Sequence, residues 1–145
     1  MPSTFYKMHC LRVCLIVFFS ICGFSSSLKI TLPPELQEYV DDLHKLCLEK
    51  GGLTENDHQT YNINDKNEKM MCYMKCLMLE SKWMKSGGEI DYDFIETQAY
   101  PEVRDLLLSA LNKCRTIEEG ADLCEKSYNF NKCMYEADPV NWFFV

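Results

Sequence analysis

Six cysteines constrain this chain more than any other feature of its sequence. They are Cys47, Cys72, Cys76, Cys114, Cys124 and Cys133, with 24, 3, 37, 9 and 8 residues between them. An even number of cysteines in a short exported chain indicates a framework of disulfides. The spacing of these cysteines then limits which segments of the chain can lie side by side.

The first 27 residues show the parts of a secretory signal peptide. Lys7 and Arg12 supply a basic start, residues 15–24 form an uncharged, mostly apolar run, and residues 25–27 are serines. This run is about half of the roughly 20 apolar residues that a membrane-spanning helix needs. We therefore predict that residues 1–27 are removed and that residues 28–145 form one secreted domain. Three of the nine cysteines, Cys10, Cys14 and Cys22, would leave with the signal peptide.

The charge of residues 28–145 excludes several classes of partner. Of the 15 Lys and Arg residues two lie in the predicted signal peptide, so 13 remain against 22 Asp and Glu, a net charge of −9. A chain this acidic repels nucleic acid and anionic membrane surfaces. We predict neither nucleic-acid binding nor membrane insertion.

The residues expected of an enzyme or a metal site are also missing from the sequence pattern. His44 and His58 are the only histidines after residue 27, and neither has a second ligand at metal spacing or a nucleophile beside it. Asp91 and Asp93 lack the glycine and distal glutamate of a calcium loop. We therefore predict no enzymatic activity, no cofactor and no metal site, and a small secreted hydrolase is rejected on the same grounds.

Apolar residues recur at helical spacing throughout residues 28–145, which predicts an all-α fold. The predicted helices are one between Pro33-Pro34 and Gly51-Gly52, one from Thr54 to about Tyr61, a central one from about Asn67 to Lys85, one over Phe94 to Ala99, one opening at Pro101, and one from about Ala121 to Ala137. The central helix is apolar on nearly every side and rich in methionine, so we expect protein to surround it.

Helical geometry limits how the cysteines can pair. Cys72 and Cys76 lie on one face of the central helix, while Cys124 and Cys133 lie on opposite faces of the last helix, so neither pair closes on itself. Of the 15 possible connectivities, ten remain. In all ten the bridges tie different helices together, and such a scaffold tolerates an unfilled cavity.

Four stretches of the sequence carry a resemblance to a known family. They are the cysteine ladder, the segment Met71 to Cys76, the last helix with Leu123 to Lys126 and Lys132-Cys133, and the ending Ala137-Asp138-Pro139 before an aromatic tail. Together they resemble an insect odorant-binding protein of the six-cysteine general or pheromone-binding type. The resemblance implies a compact six-helix domain around an apolar cavity, with the bridges Cys47–Cys76, Cys72–Cys124 and Cys114–Cys133.

The same resemblance implies a function and a set of site residues. The protein would carry small volatile ligands, odorants or pheromones, in sensillar lymph, with an olfactory receptor complex and a second copy of the chain as its protein partners. The ligand-binding residues would be Met70, Met74, Leu77, Met78, Trp83, Leu107, Leu111, Tyr128, Trp142 and Phe143.

The resemblance also gives a role to the last six residues, 140–145. This tail would fold back as a lid over the cavity, where the Val145 carboxylate would meet His44 and Tyr73. We expect acid to open the lid by protonating this carboxylate. The alternative is a disulfide-stapled interaction module without a cavity, in which the tail docks onto a partner.

Overall fold

The computed structural model describes residues 31–142, and within them the fold is all-α, as predicted. Six helices follow one another in the chain: α1 (Pro34–Gly51), α2 (Glu55–Gln59), α3 (Glu68–Glu80), α4 (Tyr92–Gln98), α5 (Pro101–Lys113) and α6 (Leu123–Ala137). The predicted signal peptide and the residues from Phe143 to Val145 lie outside the described part. No helix within residues 31–142 has both the length and the apolarity needed to cross a bilayer.

Most of the helices begin at a side chain that accepts a hydrogen bond from the first turn. Thr54 and Asp57 form a capping box at α2, and Asn67 accepts from the backbone N–H of Met70 at α3. Asp91 and Asp122 cap α4 and α6 in the same way. The last helix therefore begins at Leu123, two residues later than predicted, because Asp122 has extended backbone and caps the helix.

The central helix is shorter than predicted and ends at Glu80 instead of Lys85. Lys82 adopts a left-handed backbone with φ of 63°, which ends regular helical hydrogen bonding. The chain then doubles back, and Met84 forms an antiparallel bridge with Ile90. The prediction of a helix to Lys85 was wrong because the apolar run continues past the end of the helix. Met84 belongs to this run, but it is buried in the turn and not in the helix.

Gly88 shows why the turn after α3 needs glycine. Its φ is 87°, and a Cβ at this position would overlap the side chain of Leu123 at the start of α6. Glycine is the residue that adopts such a φ without strain and leaves room for a close neighbour. The turn therefore packs directly against α6.

Three disulfides connect the helices. Cys47–Cys76 joins α1 to α3, Cys72–Cys124 joins α3 to α6, and Cys114–Cys133 joins the end of α5 to α6. This is the pairing that the resemblance implies. The two cysteines of α3 reach different helices, and so do the two of α6.

The largest part of the core lies where α3 and α6 meet α4 and α5. Leu111, Phe130 and Met134 are fully buried there, and Met78 and Ile95 are nearly so. Since α3 packs against both α1 and α6, it is surrounded by protein as predicted. This arrangement places the last turn of α3 at the centre of the domain.

Candidate functional site

A cavity of about 380 Å³ lies between α1, α3, α4, α5 and the end of α6. Its wall is mostly apolar: Leu36, Val40, Leu43, Leu77, Met78, Trp83, Phe94, Ile95, Val103, Leu106, Leu107, Ala110, Met134 and Trp142 contribute to it. A concave, mostly apolar space of a few hundred cubic ångströms is typical of a small-molecule site.

Two amphipathic helices supply facing stripes of this wall. In α1 the cavity residues are Leu36, Tyr39, Val40 and Leu43, and α5 contributes the set that runs from Val103 to Ala110. Both sets follow the i, i+3, i+4, i+7 spacing of one helix face. The same stripes that predict helices in the sequence therefore also form the cavity wall.

The cavity opens where large apolar side chains reach solvent. Tyr39, Tyr100 and Leu106 all line the cavity, yet they are 45%, 37% and 41% exposed. Because these three side chains line the cavity and also reach solvent, they mark its mouth. Burial raises the pKa of the Tyr39 phenol, and the nearby Tyr100 and Glu80 raise it further. The mouth therefore carries a neutral hydroxyl.

Several polar groups of the wall are hydrogen-bonded within the protein, and two are not. The Ser81 hydroxyl donates to the backbone carbonyl of Met78, and the Asn131 amide donates to the carbonyl of Ser127 at 2.8 Å. The Asn141 amide donates to the Asp138 carboxylate. Within the part of the chain that the structure describes, the Oδ1 atom of Asn141 and the Nε1 atom of Trp142 are buried without a hydrogen-bond partner. The wall therefore offers a ligand one acceptor and one donor beside mainly apolar contact.

The structure brings five of the predicted ligand-binding residues to the cavity wall. They are Leu77, Met78, Trp83, Leu107 and Trp142. Phe143 lies outside the described residues.

The other four predicted residues lie elsewhere in the core. Met70 packs beside Cys47 and Tyr73, Met74 and Tyr128 pack on Ile63, and Leu111 packs among core residues that include Phe130. The rise of 1.5 Å per residue places Met70 about 12 Å from Met78 along the helix axis. Axial position, and not the methionine content, decides which residues of α3 reach the cavity.

The wall residues that sequence reasoning missed come mainly from α1, α4 and α5. Leu36, Val40 and Leu43 gave a clear helical stripe, but a stripe does not distinguish a filled core from a cavity. Phe94 and Ile95 lie on α4, and this helix is too short for the spacing of its apolar residues to indicate which face is buried.

His44 and Tyr73, the two residues predicted to meet the Val145 carboxylate, are in contact. The Nδ1 atom of His44 lies 2.7 Å from the Tyr73 hydroxyl, and its Nε2 atom lies 3.1 Å from both carboxylate oxygens of Glu55. Burial raises the pKa of Tyr73, with a further contribution from the charge of Glu55, so the phenol stays protonated. Val145, the third predicted member, lies outside the described residues.

Comparison with known proteins agrees with this geometry. The family model described as the PBP/GOBP family matches residues 30–137. Odorant binding protein 5 of Apis mellifera is 24% identical, with a TM-score of 0.69 over 81% of this chain and 100% of its own. Odorant binding protein 4 of Chrysopa pallens is 26% identical, with a TM-score of 0.66 over 80% of this chain and 99% of its own.

A third similar structure is a fatty acid binding protein from the oral disk of the blowfly Phormia regina. It is 20% identical to this chain, with a TM-score of 0.58 over 76% of this chain and 97% of its own. The family model covers well over half of the chain, and the six cysteines, three bridges and six helices agree with it. The chain therefore belongs to the PBP/GOBP family of insect odorant-binding proteins, secreted, non-enzymatic carriers that bind small hydrophobic ligands.

Proposed function

We propose that this protein carries small, volatile, apolar ligands, odorants or pheromones, through an extracellular fluid and delivers them to an olfactory receptor complex. The observation that supports this most directly is the apolar cavity of about 380 Å³, which opens to solvent between Tyr39, Tyr100 and Leu106. The proposal includes export of residues 28–145 after removal of the signal peptide.

The dimensions and polarity of the cavity define the ligand class further. Its volume lies near the lower end of the roughly 300–1,000 Å³ range of small-molecule sites, which favours ligands smaller than a typical drug. Among the described residues, the wall contains no Lys, Arg or His side chain that would hold an anion, and its one charged group is the Asp138 carboxylate. We therefore favour neutral molecules, such as alcohols, esters or aldehydes, over ionised acids.

Filling the cavity tests the proposal. Ala110→Trp places an indole into the cavity from α5 and is expected to weaken binding of the fluorescent probe N-phenyl-1-naphthylamine at least tenfold, about 1.4 kcal/mol. Ser109→Trp adds the same side chain at an exposed position of the same helix and should bind the probe like the natural protein. Unchanged affinity in Ala110→Trp would place the binding site elsewhere.

The protein supplies an internal reporter for this measurement. Its two tryptophans, Trp83 and Trp142, both line the cavity. A ligand that enters the cavity should therefore change the intrinsic fluorescence as well as the probe signal. If the natural protein shows neither response with the probe, the interaction module without a cavity becomes the better interpretation.

The proposal extends to acid-triggered release through the tail of residues 140–145. A positive charge gained in acid near the Val145 carboxylate would attract it and so favour the closed arrangement. A loss of closure in mild acid must then come from a carboxylate that loses its charge, and the Val145 carboxylate is our candidate. The contact of His44 with Tyr73 supports this assignment because it provides polar groups where the resemblance places the tail end.

We expect probe affinity to fall about tenfold between pH 7.4 and pH 5.0 in the natural protein. A chain that ends at Trp142 should bind more weakly at pH 7.4 and should show little further change at pH 5.0. Fluorescence titrations of both chains at both pH values make the comparison. Equal affinity of the natural protein at the two pH values would show that acid does not release the ligand.

A further inference from the structure

We infer that His44, Glu55 and His58 form a binding site for a divalent transition-metal ion of the Zn²⁺ class. One ligand atom from each residue lies within 4.8 Å of the others. None of the three lines the cavity, although His44 is also the residue that the proposed function assigns to the tail end.

The donor atoms of His44 and Glu55 are already about as far apart as two ligands of one metal ion. The Nε2 atom of His44 lies 3.1 Å from each carboxylate oxygen of Glu55. Two ligands bound tetrahedrally to Zn²⁺ at about 2.0–2.1 Å stand about 3.3 Å apart. The His58 ring stands edge-on to His44, and its donor atom lies within 4.8 Å of the other two. A shift of about 1–2 Å would bring it to the same spacing.

Helices α1 and α2 fix the positions of the three donor residues. Glu55 and His58 are three residues apart on α2 and therefore share one face of that helix. The capping box of Thr54 and Asp57 fixes the first turn, from which Glu55 projects. His44 meets this face from α1. The site thus joins two helices that no disulfide connects to each other directly.

The donor types select the class of ion. Two imidazoles and one carboxylate suit Zn²⁺ and its neighbours, whereas Ca²⁺ and Mg²⁺ require a shell of oxygen atoms. Three protein ligands leave one position for water or another ligand. Glu55 is exposed, and His44 and His58 are partly buried, so an ion can enter from solvent.

Tyr73 has the geometry of a positioning residue for this site. Its hydroxyl lies 2.7 Å from the Nδ1 atom of His44, on the side of the ring away from Glu55. This contact lets Nδ1–H donate to the phenol oxygen and leaves Nε2 for the metal. Such outer hydrogen bonds typically change metal affinity by about 10–100-fold.

Calorimetric titration with ZnCl2 tests the site on untagged protein secreted by insect cells and stripped with EDTA. We expect one Zn²⁺ per chain at pH 7.4. Glu55→Gln and His58→Gln should each weaken binding at least tenfold, and Tyr73→Phe about tenfold. Glu38→Gln, which removes an exposed carboxylate from α1, should leave the affinity within twofold of the natural protein.

Imidazole NMR signals give a second readout that does not depend on affinity alone. Only His44 and His58 remain after residue 27, so the His58→Gln spectrum assigns both signals. Zn²⁺ should shift both, and a tenfold excess of Ca²⁺ should shift neither. Equal Zn²⁺ affinity in all variants, or a shift of only one imidazole, would overturn the proposed site. The acid-release titrations are run with EDTA, so that metal binding and lid opening are measured separately.

Discussion

Replacing both Cys72 and Cys124 with serine is expected to lower the free energy of unfolding by about 4 kcal/mol. This bridge closes a separation of 52 residues, and loop-entropy stabilisation grows with that length. Replacing Cys114 and Cys133, 19 residues apart, should cost about 3 kcal/mol by the same relation. Urea unfolding of the two double variants without reductant measures both losses.

The critical result is which of the two double variants loses more free energy of unfolding. A larger loss for the Cys114–Cys133 pair would contradict the entropic account and indicate that local packing around each bridge dominates. Circular dichroism before unfolding controls for helix content. The replacement of both cysteines in each pair leaves no free thiol to exchange.

The size of these losses bears on how the fold keeps its cavity. Side chains that line an apolar cavity lack packing partners on one side, so they contribute less to stability than the side chains of a filled core. The three bridges together contribute about 11 kcal/mol by the loop-entropy relation. The covalent framework thus supplies stability that does not depend on filling this space.

The fold was largely predictable because its signals are local. Proline at the start of α1 and α5, Gly51-Gly52 at the end of α1 and the cap residue Thr54 each act within one or two turns of the chain. The end of α3 was not predictable in this way. Lysine rarely adopts the left-handed backbone seen at Lys82, and the apolar run that continues to Met84 favours a longer helix.

The site was less predictable because it depends on distances between helices. Leu77 and Met78 were predicted correctly as wall residues because they are apolar and lie on the face of α3 that points into the domain. Met70 and Met74 are equally apolar, but they lie too far along the helix axis to reach the cavity. Glu55 and His58 stand three residues apart on one helix, but the third ligand, His44, lies 14 residues before His58 on another helix, so the sequence does not show the complete set. Only packing brings α2 against α1 and places the two rings in contact.

Phe130→Ala should lower the free energy of unfolding by about 3–5 kcal/mol, the range for deleting a buried aromatic ring. Phe130 is fully buried and stands edge-on to Trp83, with 6.4 Å between ring centroids. Trp83 in turn lies 6.4 Å from Trp142, and both indoles line the cavity. Removing the phenyl ring leaves space behind Trp83, so we also expect weaker binding of N-phenyl-1-naphthylamine.

Met74→Ala is the control that distinguishes a local effect on the cavity wall from a general loss of stability. Met74 is also fully buried, and its deletion should cost about 2–5 kcal/mol. It packs on Ile63 and Tyr128, away from the cavity, so probe affinity should stay within twofold of the natural protein. Phe130→Leu, with much of the volume restored, should recover most of the affinity lost in Phe130→Ala. An equal loss of affinity in Phe130→Ala and Met74→Ala would mean that the cavity depends on overall stability, and that the packing behind Trp83 has no separate role in binding.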